Sequence, residues 1–296
     1  MEKVIVLTGP TGIGKTQLSI EIAKHLNTDI INGDAFQIYK GIEIATASPT
    51  IEEKQVVPHL LFNFLDAKEE FSISDYQKLV RGKIAEQARK NKVPFIVGGS
   101  GLYINSVVYD YQFSENKRSE ELKDKYLNLS NEELHNILKE VDFEASQKIH
   151  PNNRKRVERA IELVNDKETV NMQNEKVPFY DTLILFLDMP RELLYDRINK
   201  RVDVMVNDGL LDEFERMYPE KLGLQSSRAI GIQELIEYKK GNVSLEEALD
   251  LIKQHSRNYA KRQITWFKHK AVCHIIDKET TSVNDVLKIV DNFLSK

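Results

Sequence analysis

The run Gly9-Pro10-Thr11-Gly12-Ile13-Gly14-Lys15-Thr16 has the spacing G-x-x-x-x-G-K-[ST], which is suited to gripping a phosphate chain. Its glycines let backbone N–H groups turn inward around phosphate oxygens. Lys15 adds a point charge, and the start of the following helix adds a favourable dipole. Thr16 can place its hydroxyl on a Mg2+ ion. The pattern selects a di- or triphosphate without selecting ATP. Asp34, in Gly33-Asp34-Ala35-Phe36-Gln37, can serve as a Mg2+ ligand, a general base or a turn-forming residue. Gly98-Gly99-Ser100-Gly101 allows close backbone approach to a ligand and offers the Ser100 hydroxyl, or makes a tight strand-to-helix turn. Arg197 and Arg201, four residues apart, share a helix face. They can fold over a bound phosphate or pair with Glu192 or Asp196 at the surface.

These residues need a scaffold that brings them together. Val4-Ile5-Val6-Leu7 reads as a buried strand and 16–26 as the helix after it, with Leu18, Ile22 and Leu26 on one face. Further strands are expected at 29–32, 94–97, 183–187 and, more weakly, 274–276. Helices are expected at 74–91, capped by Ser74 and Asp75, at 191–217 with a break near Asn207-Asp208-Gly209, from Ser244 to Lys270, and at 284–294. Strands alternating with helices imply an α/β fold, a parallel sheet flanked by helices. In such a sheet the loops carrying Lys15, Asp34 and Ser100 leave one edge.

Between 114 and 176 no strand pattern appears. Charged helical segments (119–126, 131–140, 153–165) suggest a helical insertion, ended by a polar connection at 166–178. The expected organisation is a first core part (1–113), the insertion (114–176) and a second core part (177–296). Two basic clusters stand out. Arg154, Lys155, Arg156 and Arg159 follow His150-Pro151-Asn152-Asn153, while Arg257, Lys261, Arg262, Lys268 and Lys270 are interleaved with Tyr259, Trp266 and Phe267. Cations beside flat rings suit an RNA backbone and an unstacked base; an amphipathic helix with a solvated basic face gives the same pattern.

Composition narrows the classes. The 296 residues are 41% hydrophobic and 30% charged, with net charge −4, so nucleic-acid contact must come from local clusters rather than an overall positive field. The lone Cys273 permits no internal disulfide and no cysteine-based zinc site. No export signal or membrane-length apolar run is present, which points to the cytoplasm.

Taken in order, the motifs resemble those of the tRNA dimethylallyltransferase (tRNA isopentenyl transferase) family. The matching blocks are the loop from Gly9 to Thr16, Gly33-Asp34-Ala35-Phe36-Gln37-Ile38-Tyr39, Gly98-Gly99-Ser100-Gly101-Leu102-Tyr103, His150-Pro151-Asn152-Asn153, Arg228-Ala229-Ile230-Gly231 and Tyr259-Ala260-Lys261-Arg262-Gln263-Ile264-Thr265-Trp266-Phe267. The resemblance implies a P-loop, nucleotide-kinase-like core. The implied activity is transfer of a dimethylallyl group from dimethylallyl diphosphate to N6 of adenine 37 beside the tRNA anticodon. It implies that the loop holds the diphosphate of the prenyl donor, with Mg2+ assisting at Thr16, and that the insertion helps clamp the anticodon stem-loop. By resemblance Asp34 is the general base, Ser100 holds the amine or a bridging oxygen, and Arg201 stabilises the leaving diphosphate. Gln37 reads the adenine edge. RNA contacts are expected from Asp34, Ala35, Phe36, Gln37 and Ser100, from Lys155, Arg156, Val157, Glu158 and Arg159, and from Arg228, Gly231, Lys261 and Arg262. A monomer is expected. The chain departs from the family pattern at Ser100, usually threonine, at Ala35-Phe36, usually Ser-Met or similar, and at Ser48, usually lysine. The C-terminal zinc finger of the eukaryotic members has no counterpart. A small-molecule kinase, an enzyme prenylating free AMP or ADP, and a nucleotide-switched RNA-binding protein are the rival readings.

Overall fold

The structure, a computed structural model, describes residues 1–113, 126–165 and 177–296. The apolar runs become a six-stranded, all-parallel sheet: β1 (Lys3–Thr8), β2 (Ile30–Asn32), β3 (His59–Leu60), β4 (Phe95–Gly98), β5 (Asp181–Asp188) and β6 (His274–Asp277), in the order β3-β2-β4-β1-β5-β6. The central strands read as unbroken hydrophobic runs because both faces are covered. Ile5, Leu7, Phe95 and Leu185 pack on one face with helices α1 (Lys15–Leu26) and the C-terminal Val283–Leu294. Val4, Val6, Ile96 and Ile184 pack on the other, with helices from Ile73–Arg89 and Gly101–Val108.

The described helices, numbered in chain order, are α1, α2 (Ile51–Val56), α3 (Ile73–Arg89), α4 (Gly101–Val108), α5 (Asn131–Val141), α6 (Phe143–Lys148), α7 (Arg154–Asn165), α8 (Arg191–Asn207), α9 (Leu210–Met217), α10 (Ile232–Lys239), α11 (Leu245–Lys270) and α12 (Val283–Leu294). The break expected near 207–209 separates α8 from α9. Ser244 caps α11, its side chain accepting from the Glu247 N–H. The expected cap of α3 is corrected: Ser72, not Ser74, accepts from the Asp75 N–H while Asp75 reaches back, a capping box. The strand β3 and the short helices α2 and α6 were not anticipated. The two residues of β3 sit half-buried at the sheet edge, too short to show a period.

The chain divides into two compact units, Met1–Tyr109 with Pro178–Lys296, and Asp110–Val177. The second unit has its own small core of Tyr126, Leu134, Leu138, Ile149, Val157, Ala160 and Ile161. The expected helix at 119–126 and the connection at 166–178 fall largely outside the described residues. No described helix is long and apolar enough to cross a membrane.

Candidate functional site

The loops after β1, β2 and β4 meet at the carboxyl edge of the sheet, near where the strand order reverses, which is where open α/β sheets leave a crevice. A cavity of about 760 Å³ lies there, lined by Lys15 and Thr16 at one side and by Asp34, Phe36 and Gln37 at another. Gly14 enters α1 at φ 90°, a conformation that a side chain would strain. Lys15 Nζ turns back and donates to Gly9 O (2.9 Å) and Pro10 O (3.1 Å). Burial pulls its pKa down from 10.5 to about 8, against the opposing pull of Asp34, with Arg201 adding to the fall.

The residues of the loop differ in what they can offer a phosphate. Pro10 has no N–H. Ile13 is buried in the core beneath the loop. Thr11 is held at both ends: its N–H donates to Gln263 Oε1 (2.8 Å) and its hydroxyl accepts from Arg201 Nη1 (3.1 Å). Thr11, Gly12, Gly14, Lys15 and Thr16 line the cavity. Arg197 and Arg201 reach it from α8, Arg197 Nε donating to Gly12 O at 3.1 Å. Burial holds the Arg201 pKa below its usual value, and Asp34 opposes that shift.

Asp34 serves as a turn residue and faces the cavity at once. Its Oδ1 accepts from the Phe36 N–H at 3.0 Å, while Oδ2 has no hydrogen-bond partner among the described residues. The buried Asn32 amide grips both backbone groups of Asp34. Its Oδ1 accepts from the Asp34 N–H (2.8 Å) and its Nδ2 donates to Asp34 O (3.2 Å) and Leu61 O (3.0 Å). Ser100 is only 8% exposed. Its Oγ accepts from the Ala35 N–H (3.0 Å) and lies 3.3 Å from the Tyr259 hydroxyl. Burial, with the Asp34 charge behind it, pushes the Tyr259 phenol well up, and the Ser100 contact opposes this; the phenol stays a donor. Gln37 Nε2 donates to Thr46 O (3.1 Å) and Ala47 O (2.9 Å), so its amide nitrogen is committed to the protein.

The RNA-contact expectations divide. Lys155 and Arg156 are exposed, as are Arg228, Lys261 and Arg262. Arg228 and Arg262 also line the cavity. Val157 is corrected: it is 0% exposed, inside the small core of its unit. Glu158 pairs with Arg154 at 2.8 Å and Arg159 with the buried Glu162 at 3.1 Å. Gly231 is buried too, its N–H donating to Glu234 Oε2 at 2.7 Å, so it shapes a turn rather than meeting a ligand. In the second basic cluster Phe267 is buried, Trp266 packs inward and Lys268 pairs with Asp188. Of the three aromatics only Tyr259 lines the cavity, with Arg262 5.6 Å from its ring centroid. Asn32 and Gln263 were not anticipated as site residues. Four-residue spacing from Tyr259 to Gln263 was the one available signal, since it puts both on one helix face.

The sequence profile described as IPP transferase matches residues 37–270. The chain belongs to this family. Among family relatives, a Bacillus pumilus protein named tRNA dimethylallyltransferase is 46% identical, over 94% of this chain and 93% of its own length. A Staphylococcus epidermidis protein of that name is 43% identical, over 99% and 92%. The crystal structure of a tRNA isopentenylpyrophosphate transferase from S. epidermidis superposes with a TM-score of 0.74 at 41% identity, covering 100% of this chain and 99% of its own. A eukaryotic dimethylallyltransferase crystallised acting on tRNA superposes with a TM-score of 0.85 at 27% identity, covering 100% of this chain and 80% of its own.

Proposed function

We infer that this IPP transferase family member moves a dimethylallyl group from dimethylallyl diphosphate to N6 of adenine 37 in tRNA, releasing diphosphate. The observation that carries the reading is one cavity with a phosphate loop at one side and a carboxylate with a free oxygen at another. Near full-length similarity to named tRNA dimethylallyltransferases supports the substrate pair.

The exocyclic amine of adenine is a poor nucleophile because its lone pair is delocalised into the ring. Asp34 Oδ2 orients the amine and takes its proton as N6 attacks the first carbon of the prenyl group. The C–O bond to diphosphate breaks, and the electron pair leaves with the diphosphate. Lys15, the Gly12 and Gly14 amides and Arg201 meet the charge that develops; such a donor is typically worth roughly 3–4 kcal/mol of barrier. Ser100 steadies Ala35 beside the base. Among the described residues no group of three or more His, Cys, Asp or Glu is arranged to hold a metal. Mg2+ would be held on the protein side by the Thr16 hydroxyl, and when bound it would neutralise part of the leaving-group charge. The helical insertion contributes Lys155 and Arg156 to the anticodon stem-loop, and the core contributes Arg228, Lys261 and Arg262. The enzyme acts as a cytoplasmic monomer.

Mass spectrometry of nucleosides from unmodified tRNA incubated with the enzyme and dimethylallyl diphosphate tests this. N6-dimethylallyladenosine at position 37 is expected. ADP formation from ATP without a prenyl donor, and no modified adenosine, would establish a kinase instead.

A further inference from the structure

We propose that Gln263 is a positioning residue that sets the distance between the diphosphate cradle and the aspartate that orients the nucleophile; this rests on the prenyl-transfer reading. Gln263 lies on α11 and is 4% exposed. Its Oε1 accepts from the Thr11 N–H at 2.8 Å, and its Nε2 donates to Gly99 O at 2.9 Å. One planar amide therefore bridges the loop after β1 and the loop after β4. The partners are a donor and an acceptor, which settles which end of the amide faces which loop.

The bridge extends to Asp34 in short steps. Gly99 leads into Ser100, whose Oγ accepts from the Ala35 N–H, the residue after Asp34. One turn earlier on α11 the Tyr259 hydroxyl meets the same Oγ. Helix α11 thus braces the carboxyl edge of the sheet and references both reacting partners to one rigid element. Thr11 completes the brace on the donor side, its hydroxyl taken by Arg201. The contact is tight enough to need glycine: a Cβ on Gly99 would sit 2.2 Å from Gln263 Nε2 and 3.3 Å from Gly9 O.

Alkyl transfer with a departing diphosphate needs nitrogen, carbon and leaving oxygen in line. Gln263 borders the cavity, but both ends of its amide are taken by the two loops, so its loss should leave binding largely intact and misplace one partner against the other. Gln263→Met keeps length and removes both hydrogen bonds. Gln263→Glu keeps an acceptor for Thr11 but turns a second acceptor toward Gly99 O.

The test is steady-state and single-turnover prenylation of unmodified tRNA by the full chain, with thermal melting of each variant. For both variants kcat and the single-turnover rate should fall about 10- to 100-fold while KM for prenyl diphosphate and for tRNA stays within about threefold. A KM rise at unchanged kcat would make Gln263 a binding residue and overturn the proposal, as would wild-type kcat. Should either substitution lower the melting point below assay temperature, Gly99→Ala presses on the same contact from the other loop. The same kcat-selective loss is expected there, and wild-type kcat overturns the proposal. If the wild-type chain forms no prenylated adenosine, the reading of function falls and this proposal with it. If the wild type prenylates and Gln263→Met matches it, only the proposal falls.

Discussion

Lys15 makes donor binding depend on pH in a window where the prenyl diphosphate itself does not titrate. Burial brings the free lysine from 10.5 to about 8. Two anionic phosphates beside the ammonium must raise it again on binding, since an opposite charge favours the charged form. The sign follows. Affinity is greatest below about pH 8 and falls as pH rises, until the pKa of the bound state is reached. With a free-state pKa of about 8, roughly three-quarters of the lysines are protonated at pH 7.5 and about 3% at pH 9.5, so the affinity should drop about 25-fold across that interval. The last ionisation of an alkyl phosphate lies near 6, by analogy with phosphorylated side chains, and contributes nothing there. Stability of the empty fold moves the other way. The unfolded chain holds this proton up to 10.5, so the cost of burying the charge is full below about pH 8 and is relieved as pH rises toward 10.5. Isothermal titration with dimethylallyl diphosphate, without tRNA, reads the affinity, and urea unfolding of the empty protein reads the stability. Repeating the titration near pH 9 in buffers of different ionisation enthalpy should show close to one proton taken up per site, about 0.9 for a pKa of 8. Lys15→Arg, charged throughout, should flatten the profile and abolish uptake. A wild-type affinity independent of pH from 7.5 to 9.5, with no proton uptake, would refute the argument; so would an unchanged slope in Lys15→Arg.

Three substitutions test the rest of the site. Asp34→Asn should reduce turnover about 10²- to 10⁴-fold with tRNA affinity largely intact; filter binding and single-turnover kinetics separate the two, and a near-normal rate removes Asp34 from the mechanism. Arg201→Ala removes a half-buried cation and the bond to Thr11, and should cost about 10²- to 10³-fold in kcat/KM for the prenyl donor. Unchanged donor kinetics would leave Arg201 a structural cation. Gly98→Ala would set a Cβ 2.1 Å from the Gly33 carbonyl carbon, a clash with backbone that cannot swing aside. Destabilisation of at least about 1–3 kcal/mol is expected in urea unfolding, and a wild-type midpoint would contradict the packing of β2 on β4.

What the amino-acid sequence determined alone is local. Strands β1 and β4 and the phosphate loop were legible because each is encoded in adjacent residues: an apolar run closed by glycines, with a lysine at the helix start after β1. The break at Gly209 and the Ser244 cap were legible on the same ground. The Ser72-x-x-Asp75 capping box was equally local, but a second serine two residues on obscured it. Periodicity marked helix α7, and Val157, Ile161 and Val164 have the spacing of one apolar face, but only the packed unit shows Tyr126, Leu134 and Leu138 closing over it. Only the tertiary structure decided which distant groups meet. The order β3-β2-β4-β1-β5-β6 brings Asp34 beside Ser100, and the long α11 brings Gln263 to Thr11, 252 residues away in sequence. The physical reason is that a hydrogen bond specifies a distance and an angle, and chain position constrains neither until the sheet order and helix packing are set.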